Sequence, residues 1–470
     1  MYPSGDPVDW TGSGPRVLAV TYGGGHFNIT RNVVMALEKM GASVLVLALT
    51  TARQGAARWL SGLRVVGVHE LLASPAFERK MAQKIQETGN AAMAVSGIES
   101  HAYSMDETVA YLGAGIHGLM SSSGMEMDSA IDLFRTQGRR VLEPVSFART
   151  VLKWLKPDAV FATNSPRMES AFLREADVLG IRTVCCCDMV GNTEIVPLSG
   201  RIICVANEIA KKNLIAQGYD SSQIIITGQP ALDWTASIYR ARRFMEDGFL
   251  RILYPSQPTG REAQILRIIE EVGDERGNFR VIATVHPGYL HTRSLHPCSH
   301  RSDSLESSLV AVTDSHEKGC EQELFNNING SGGNDSDCED SKGNRRISGW
   351  MKSSAIMAGV TRPLLFECDL VVAEYTTVIL EALSLGIPVL ALDIGRDPRI
   401  GALHGLAGLR VVTASDFRRE VDLVVQKSVI RSVHSAEPVE HEAESPVLGS
   451  VEEMQLKQSA AQRVAQLCIR

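Results

Sequence analysis

Short runs of aliphatic and β-branched residues alternate along the chain with longer stretches whose apolar positions recur every three to four residues. That alternation predicts parallel strands covered by helices, because a strand buried on both faces carries no alternating polar positions. Arg16 to Thr21 (RVLAVT) reads as a first strand, followed by a glycine turn. Helical periodicity then runs from Asn28 to Met40, Gly41 supplies a stop, and Ser43 to Leu49 (SVLVLAL) reads as the second strand. Further strands are expected at Asp158–Thr163, Thr183–Cys187, Ile202–Ala206 and Gln223–Thr227. Residues 70–150 are helical in composition, except for a Gly/Ser/Met-rich patch from Gly113 to Asp128 that reads as a mobile loop.

A second unit of the same kind begins at Arg251. Its strands are expected at Arg251–Tyr254, Arg280–Val285, Leu309–Thr313, Leu370–Glu374, Pro388–Asp393 and Leu409–Val412. The pattern therefore predicts an α/β protein of two facing Rossmann-like domains, 15–228 and 250–428, joined by a connection over 229–249. Ligands of such folds bind in the cleft outside the strand C-termini. Residues 293–348 are rich in Ser, Asn, Asp and Gly and read as a disordered polar insertion in the second domain. The tail, 429–470, reads as a polar linker over 429–455 and an amphipathic helix over Met454–Ile469.

Composition narrows the function classes. In 470 residues, 47 lysines and arginines stand against 54 aspartates and glutamates, a net charge of −7. A mildly acidic chain does not suit a protein that coats nucleic acid, so no stable nucleic-acid partner is expected. No apolar run approaches the ~18 residues needed to span a bilayer, and Met1 to Arg16 lacks a secretory pattern. A cytoplasmic protein is expected, with any membrane contact peripheral. The nine cysteines form no framework. Cys185, Cys186 and Cys187 alternate faces of one strand, so they read as small buried hydrophobes and no metal site is expected.

Candidate chemistry sits in the turns after the strands. Thr21-Tyr22-Gly23-Gly24-Gly25-His26 follows the first strand and opens a helix. Glycines there let a ligand approach the backbone, and the imidazole of His26 is placed to act as a general base. The pattern is not GxGxxG, and no acidic residue ends the second strand, so a dinucleotide fold signature is not indicated. The segment Glu374-Tyr375-Thr376-Thr377-Val378-Ile379-Leu380-Glu381 runs from a strand through a polar turn into a helix. Thr376 and Thr377 can hold a phosphate at that turn, and Glu381 can accept both hydrogen bonds of a ribose diol. Further turn residues at strand ends are Asn164, Asp188, Gln229, Ser256, Gln257 and His286.

Taken together, GGGH, TGQPALD, SQP, HPG and EYTTVILEALSLGIPVL resemble the GT-B glycosyltransferase and UDP-GlcNAc 2-epimerase superfamily over most of residues 15 to 425. The Arg-Pro-Glu, His-Arg-x-Glu-Asn and Asp-Ser-Gly-Gly motifs of the epimerase branch are absent. The resemblance implies a nucleoside-diphosphate sugar donor, a UDP-sugar foremost, bound mainly by the C-terminal domain. Gln229, Ser256, Gln257, His286, Glu374, Thr376, Thr377 and Glu381 would hold it. It places Gly24, Gly25, Asn164 and Asp188 beside the acceptor or the transferred sugar, with His26 catalytic. The activity implied is metal-independent and cofactor-free sugar transfer to a hydroxyl of a glycan, lipid carrier or small molecule. Epimerisation or hydrolysis of a UDP-sugar, and a non-catalytic nucleotide-sugar-binding protein, are the alternatives.

Overall fold

A computed structural model describes residues 10, 12–23, 25–60, 62–96, 104–164, 167–191, 198–235, 248–257, 261–285, 355–358, 361–395, 397–434 and 458–469. Gly24, His286, the expected strand at Leu309–Thr313 and the polar insertion 293–348 lie outside these residues. So do 435–457 of the tail and most of the connection 229–249.

The first sheet contains β1 (Arg16–Thr21), β2 (Ser43–Ala48), β3 (Arg64–Val66), β4 (Ala159–Thr163), β5 (Arg182–Cys186), β6 (Ile202–Val205) and β7 (Ile224–Ile226). All are parallel, in the order β3-β2-β1-β4-β5-β6-β7. The second contains β8 (Leu250–Pro255), β9 (Phe279–Val285), β10 (Ala355–Ala358), β11 (Leu370–Ala373), β12 (Val389–Asp393) and β13 (Leu409–Thr413). These too are parallel, in the order β10-β9-β8-β11-β12-β13. Sequence order reverses once in each sheet, between β1 and β4 and between β8 and β11. At such a reversal the covering helices depart to opposite faces and leave a crevice at the strand C-termini.

Burial follows the two-residue period of a strand. Leu18 and Val20 pack into one core with Leu45, Leu47, Val160 and Ala162. Val17 and Ala19 pack into the opposite core with Val44, Val46 and Phe161. Cys185 and Cys187 share the first of these cores and Cys186 the second, as strand alternation requires. Burial pushes the Cys187 thiol up to about 12, so it behaves as a small apolar group. β3 and β10 have no counterpart among the expected strands. Three or four residues are too few to display a period.

The patch Gly113–Asp128 is not the mobile loop its composition suggests. Gly113 to Ser123 belong to the helix Met105–Ser123, which starts on a Ser104 cap and ends at a left-handed Gly124. Its small residues let it press against the helix Arg79–Ser96. A Cβ at Gly113 would overlap the carbonyl oxygen of Ile85, and one at Gly89 that of Val109.

Glu107 ties the start of this helix to the short helix Val68–Ala73 that follows β3. Its Oε2 accepts from the backbone N of His69 at 3.1 Å and lies 2.8 Å from His69 Nδ1. The hydrogen bond to Glu107, opposed by burial and supported by its charge, raises the His69 pKa. A raised folded-state pKa stabilises fully below the unfolded value of about 6.5, and the contribution is lost as pH rises through the folded value. The wild type should therefore lose more melting temperature than Glu107→Gln between pH 6 and pH 8. Equal losses in thermal melts at the two pH values would refute the assignment.

The C-terminal helix, Ala460–Ile469, returns to the first half of the chain. Val464, Ala465 and Cys468 join the core that contains Val33, Leu37 and Phe161. The carboxylate of Asp233 accepts from the backbone N of Ala460 and Ala461, at 3.0 and 2.9 Å, and so caps the helix from 227 residues away. Arg463 Nε donates to Thr227 O at 2.8 Å. Among the described residues no helix is long and apolar enough to cross a membrane.

Candidate functional site

β1 runs into the turn before His26 and β4 into Asn164, so both open where the first sheet reverses. The neighbouring β5 delivers Cys187 and Asp188. Across from them, β8 delivers Ser256 and Gln257, and β11 delivers Glu374 to Thr377, at the reversal of the second sheet. The two reversals face one another. Gly25, Asn28 and Asp188 form one wall of a narrow cleft, and Thr377, Leu380 and Glu381 form the other. A Cβ on Gly25 would lie 3.7 Å from Thr377 Cγ2, across the cleft.

His26 occupies the first turn of the helix Gly25–Lys39 and is partly exposed. Its Nδ1 is 2.6 Å from Thr163 Oγ1, and its Nε2 is 3.8 Å from Asp188 Oδ2. Thr163 Oγ1 is in turn 2.8 Å from Oε2 of Glu169, a fully buried carboxylate. The other oxygen, Oε1, accepts from the backbone N of Tyr22 at 2.6 Å. The ring is thus held from behind by a hydroxyl and faced by a carboxylate. That is the arrangement a general base needs: fixed orientation, and a negative charge near the nitrogen that becomes cationic.

Asn164 and Gln229 support this arrangement. Asn164 Oδ1 accepts from Asp188 N at 3.1 Å. Gln229 Nε2 donates to Cys187 O at 3.1 Å and Asp188 O at 3.0 Å, while Gln229 also borders the cleft. Both side chains pin the turn that aims Asp188. Arg167, just before the helix Met168–Val178 that carries Glu169, has a φ of +72°, uncommon for a residue with a Cβ. Backbone strain of this kind is typical of sites whose geometry is over-determined by their surroundings.

In the second half, Thr377 and Glu381 reach the cleft, and Glu381 is nearly buried rather than solvated. Thr376 Oγ1 accepts from Val378 N at 3.4 Å. The helix that follows, Val378–Ser384, has only seven residues, so hydroxyls carry more of any anion binding than a helix dipole would. Ser256 extends the sheet, its N donating to Thr284 O at 2.9 Å, and Gln257 Nε2 donates to Ser256 O. Neither lines the cleft described above. Glu374 is buried and pairs with Arg261, 2.6 Å away.

Five residues of this site lie beyond the sequence reading: Thr163 as a hydrogen-bond partner, Glu169, Arg261, Asp397 and Arg399. Arg261 Nη2 is 3.9 Å from Asp397, which Arg399 grips through Nε and Nη2 at 2.9 and 2.7 Å. Burial pushes the Asp397 carboxyl up, but the Arg399 hydrogen bonds and the charges of Arg399 and Arg261 outweigh it and hold it below the ordinary range. The Arg399 guanidinium also lies 4.8 Å from the ring centroid of Tyr375. Of these five, only Thr163 carried a usable signal, its position at the end of a strand.

No family model matches the sequence, and no curated protein sequence matches it either. Among solved structures, the S. aureus MnaA–UDP co-structure matches with a TM-score of 0.50 over 96% of this chain and 94% of that one, at 10% identity. The fold is of GT-B type. The UDP-GlcNAc 2-epimerase from Neisseria meningitidis bound to UDP-GlcNAc also matches, at 14% identity and a TM-score of 0.48, over 94% of this chain and 99% of that one. So does MurG from Acinetobacter baumannii, at 12% identity and 0.46, over 97% and 99%. In GT-B terms, His26, Thr163, Glu169 and Asp188 belong to the N-terminal sheet and Glu374 to Glu381 to the C-terminal one.

Proposed function

We propose that this GT-B chain transfers a sugar from a nucleoside-diphosphate sugar to a hydroxyl acceptor. The observation that carries the reading is His26. Its Nδ1 is tied to Thr163 and its Nε2 is 3.8 Å from Asp188, which lines the cleft opposite Thr377 and Glu381. The acceptor O–H gives its proton to Nε2, and its oxygen bonds to the anomeric carbon. The bond from that carbon to the diphosphate oxygen breaks, and the electron pair leaves with the diphosphate. Asp188 stabilises the imidazolium so formed. Thr376 and Thr377 hold the departing phosphates, and Glu381 binds the ribose diol.

The Asp188–His26 pair also suits a second reading, acid–base epimerisation or hydrolysis of the same donor without an acceptor. The two separate on one assay. A UDP-sugar incubated alone should stay intact if transfer is the activity, whereas released UDP or an altered sugar supports the second reading. Donor binding tests the shared part. A uridine nucleotide is tried first, since the S. aureus neighbour was solved with UDP. In calorimetry, Glu381→Ala should weaken UDP-sugar binding by about tenfold or more, the value of a hydrogen bond to a charged group. Equal affinity in the variant would remove Glu381 from the donor site. Binding without product from any acceptor would favour a non-catalytic nucleotide-sugar-binding protein.

A further inference from the structure

We infer that Glu169, fully buried behind Thr163, sets the tautomer of His26 through that hydroxyl. It is a positioning residue, and the inference rests on the reading of His26 as the base. A threonine hydroxyl has one hydrogen to give. Thr163 Oγ1 has two partners, His26 Nδ1 at 2.6 Å and Glu169 Oε2 at 2.8 Å, and all three groups lie on one line of contact. Only one direction of donation leaves Nε2 with its lone pair. Thr163 must give its hydrogen to Glu169 and accept the Nδ1–H of the ring.

The carboxylate enforces that direction. An ionised carboxylate accepts and cannot donate. Glu169 Oε1 is already committed to the backbone N–H of Tyr22 at 2.6 Å, a group that can only donate. The short distance fits a charge-assisted bond. Oε2 therefore takes the Thr163 hydrogen, Thr163 takes the Nδ1 hydrogen, and the free lone pair is left on Nε2, the nitrogen nearest Asp188. Asp188 then faces the nitrogen that gains the proton, and Glu169 fixes which nitrogen that is. The two carboxylates have separate tasks.

An isosteric substitution inverts the relay without emptying the pocket. In Glu169→Gln the amide oxygen keeps the Tyr22 N–H, which leaves the NH₂ group facing Thr163. That group donates to Oγ1, the hydroxyl hydrogen turns toward Nδ1, and the ring must carry its proton on Nε2. A base with a hydrogen on the reacting nitrogen cannot accept one.

The test is NMR of the full-length protein with ¹⁵N-labelled histidine, at a pH where His26 is neutral. Its signal among the 12 histidines is assigned by its loss in His26→Gln. The wild type should show a protonated Nδ1 and an unprotonated Nε2, and Glu169→Gln should exchange the two. Thr163→Ser should retain the wild-type pattern, and in a Thr163→Val background Glu169→Gln should change nothing. The Ser and Val variants also keep the test decisive if Glu169→Gln fails to fold. A wild-type ring protonated on Nε2, or a Thr163→Val ring with the wild-type pattern, overturns the relay. Once a donor and acceptor are in hand, Glu169→Gln should lower kcat by about 10²-fold or more with donor affinity unchanged. The NMR readout needs no substrate, so the two readings fail separately. A tautomer exchange with no transfer from any donor refutes sugar transfer and supports the relay, and transfer with an unmoved tautomer does the reverse.

Discussion

His26→Ala should lower kcat for sugar transfer by 10²- to 10⁴-fold, about the range that a positioned general base contributes, while donor affinity changes little. The split follows from position. His26 lies at the reversal of the first sheet, whereas Thr377 and Glu381, the groups read as donor-binding, belong to the second. Removing the imidazole also removes the partner that Asp188 Oδ2 meets at 3.8 Å, so the carboxylate gains exposure to water but stays in place. It is held there by backbone hydrogen bonds involving Asn164 and Gln229. Asp188→Asn should cost less than His26→Ala, because it removes charge stabilisation of the imidazolium and leaves the proton acceptor. The check is kcat measured beside a donor Kd from calorimetry. Unchanged kcat, or a fall in kcat matched by an equal loss of donor affinity, would show that His26 binds rather than reacts.

What the chain discloses about itself divides along physical lines. Burial on both faces of a parallel sheet demands unbroken apolar runs, and the runs at Arg16, Ser43, Leu370 and Pro388 are visible without a structure. Turns at strand ends inherit that clarity, which is how His26, Asp188 and Thr377 could be named as candidates. Glu169 could not. It sits in the first turn of the helix Met168–Val178, where an acidic residue is ordinarily a solvated complement to the helix dipole. Its burial depends on Thr163 and on the backbone of Tyr22, 147 residues distant in sequence. Arg261 and Asp397 meet across a similar gap. Pairings of this kind leave no local period. The C-terminal helix shows the same divide. Its amphipathic pattern was legible over Met454–Ile469, of which the structure describes a helix at Ala460–Ile469, but its return to the first half depends on Asp233, far away in sequence.

Gly113→Ala should destabilise the N-terminal half by about 3 kcal/mol or more, at the upper end of the range for overpacked cores. Glycine and serine in Gly113–Ser123 look like loop composition because glycine lowers helix propensity by about 1 kcal/mol each. Here that penalty is offset by close contact between two helix backbones. Gly113 meets the carbonyl oxygen of Ile85 and the backbone N of Gly89, and Thr88 Oγ1 reaches the Gly113 carbonyl at 3.2 Å. A methyl group at Gly113 must therefore displace backbone, which cannot swing aside as a side-chain tip can. The helix Met105–Ser123 would have to move off the helix Arg79–Ser96, and Gly118, packed on the Glu143 carbonyl, would resist the shift from the other side. On propensity alone the same substitution would stabilise by about 1 kcal/mol, so the sign of the effect decides between a packed helix and an open segment. Gly401→Ala serves as the control, since a Cβ there meets nothing within 4 Å. Urea denaturation followed by far-ultraviolet circular dichroism reads both variants. A Gly113→Ala midpoint equal to or above that of the wild type would mean that the two helices do not pack through this glycine.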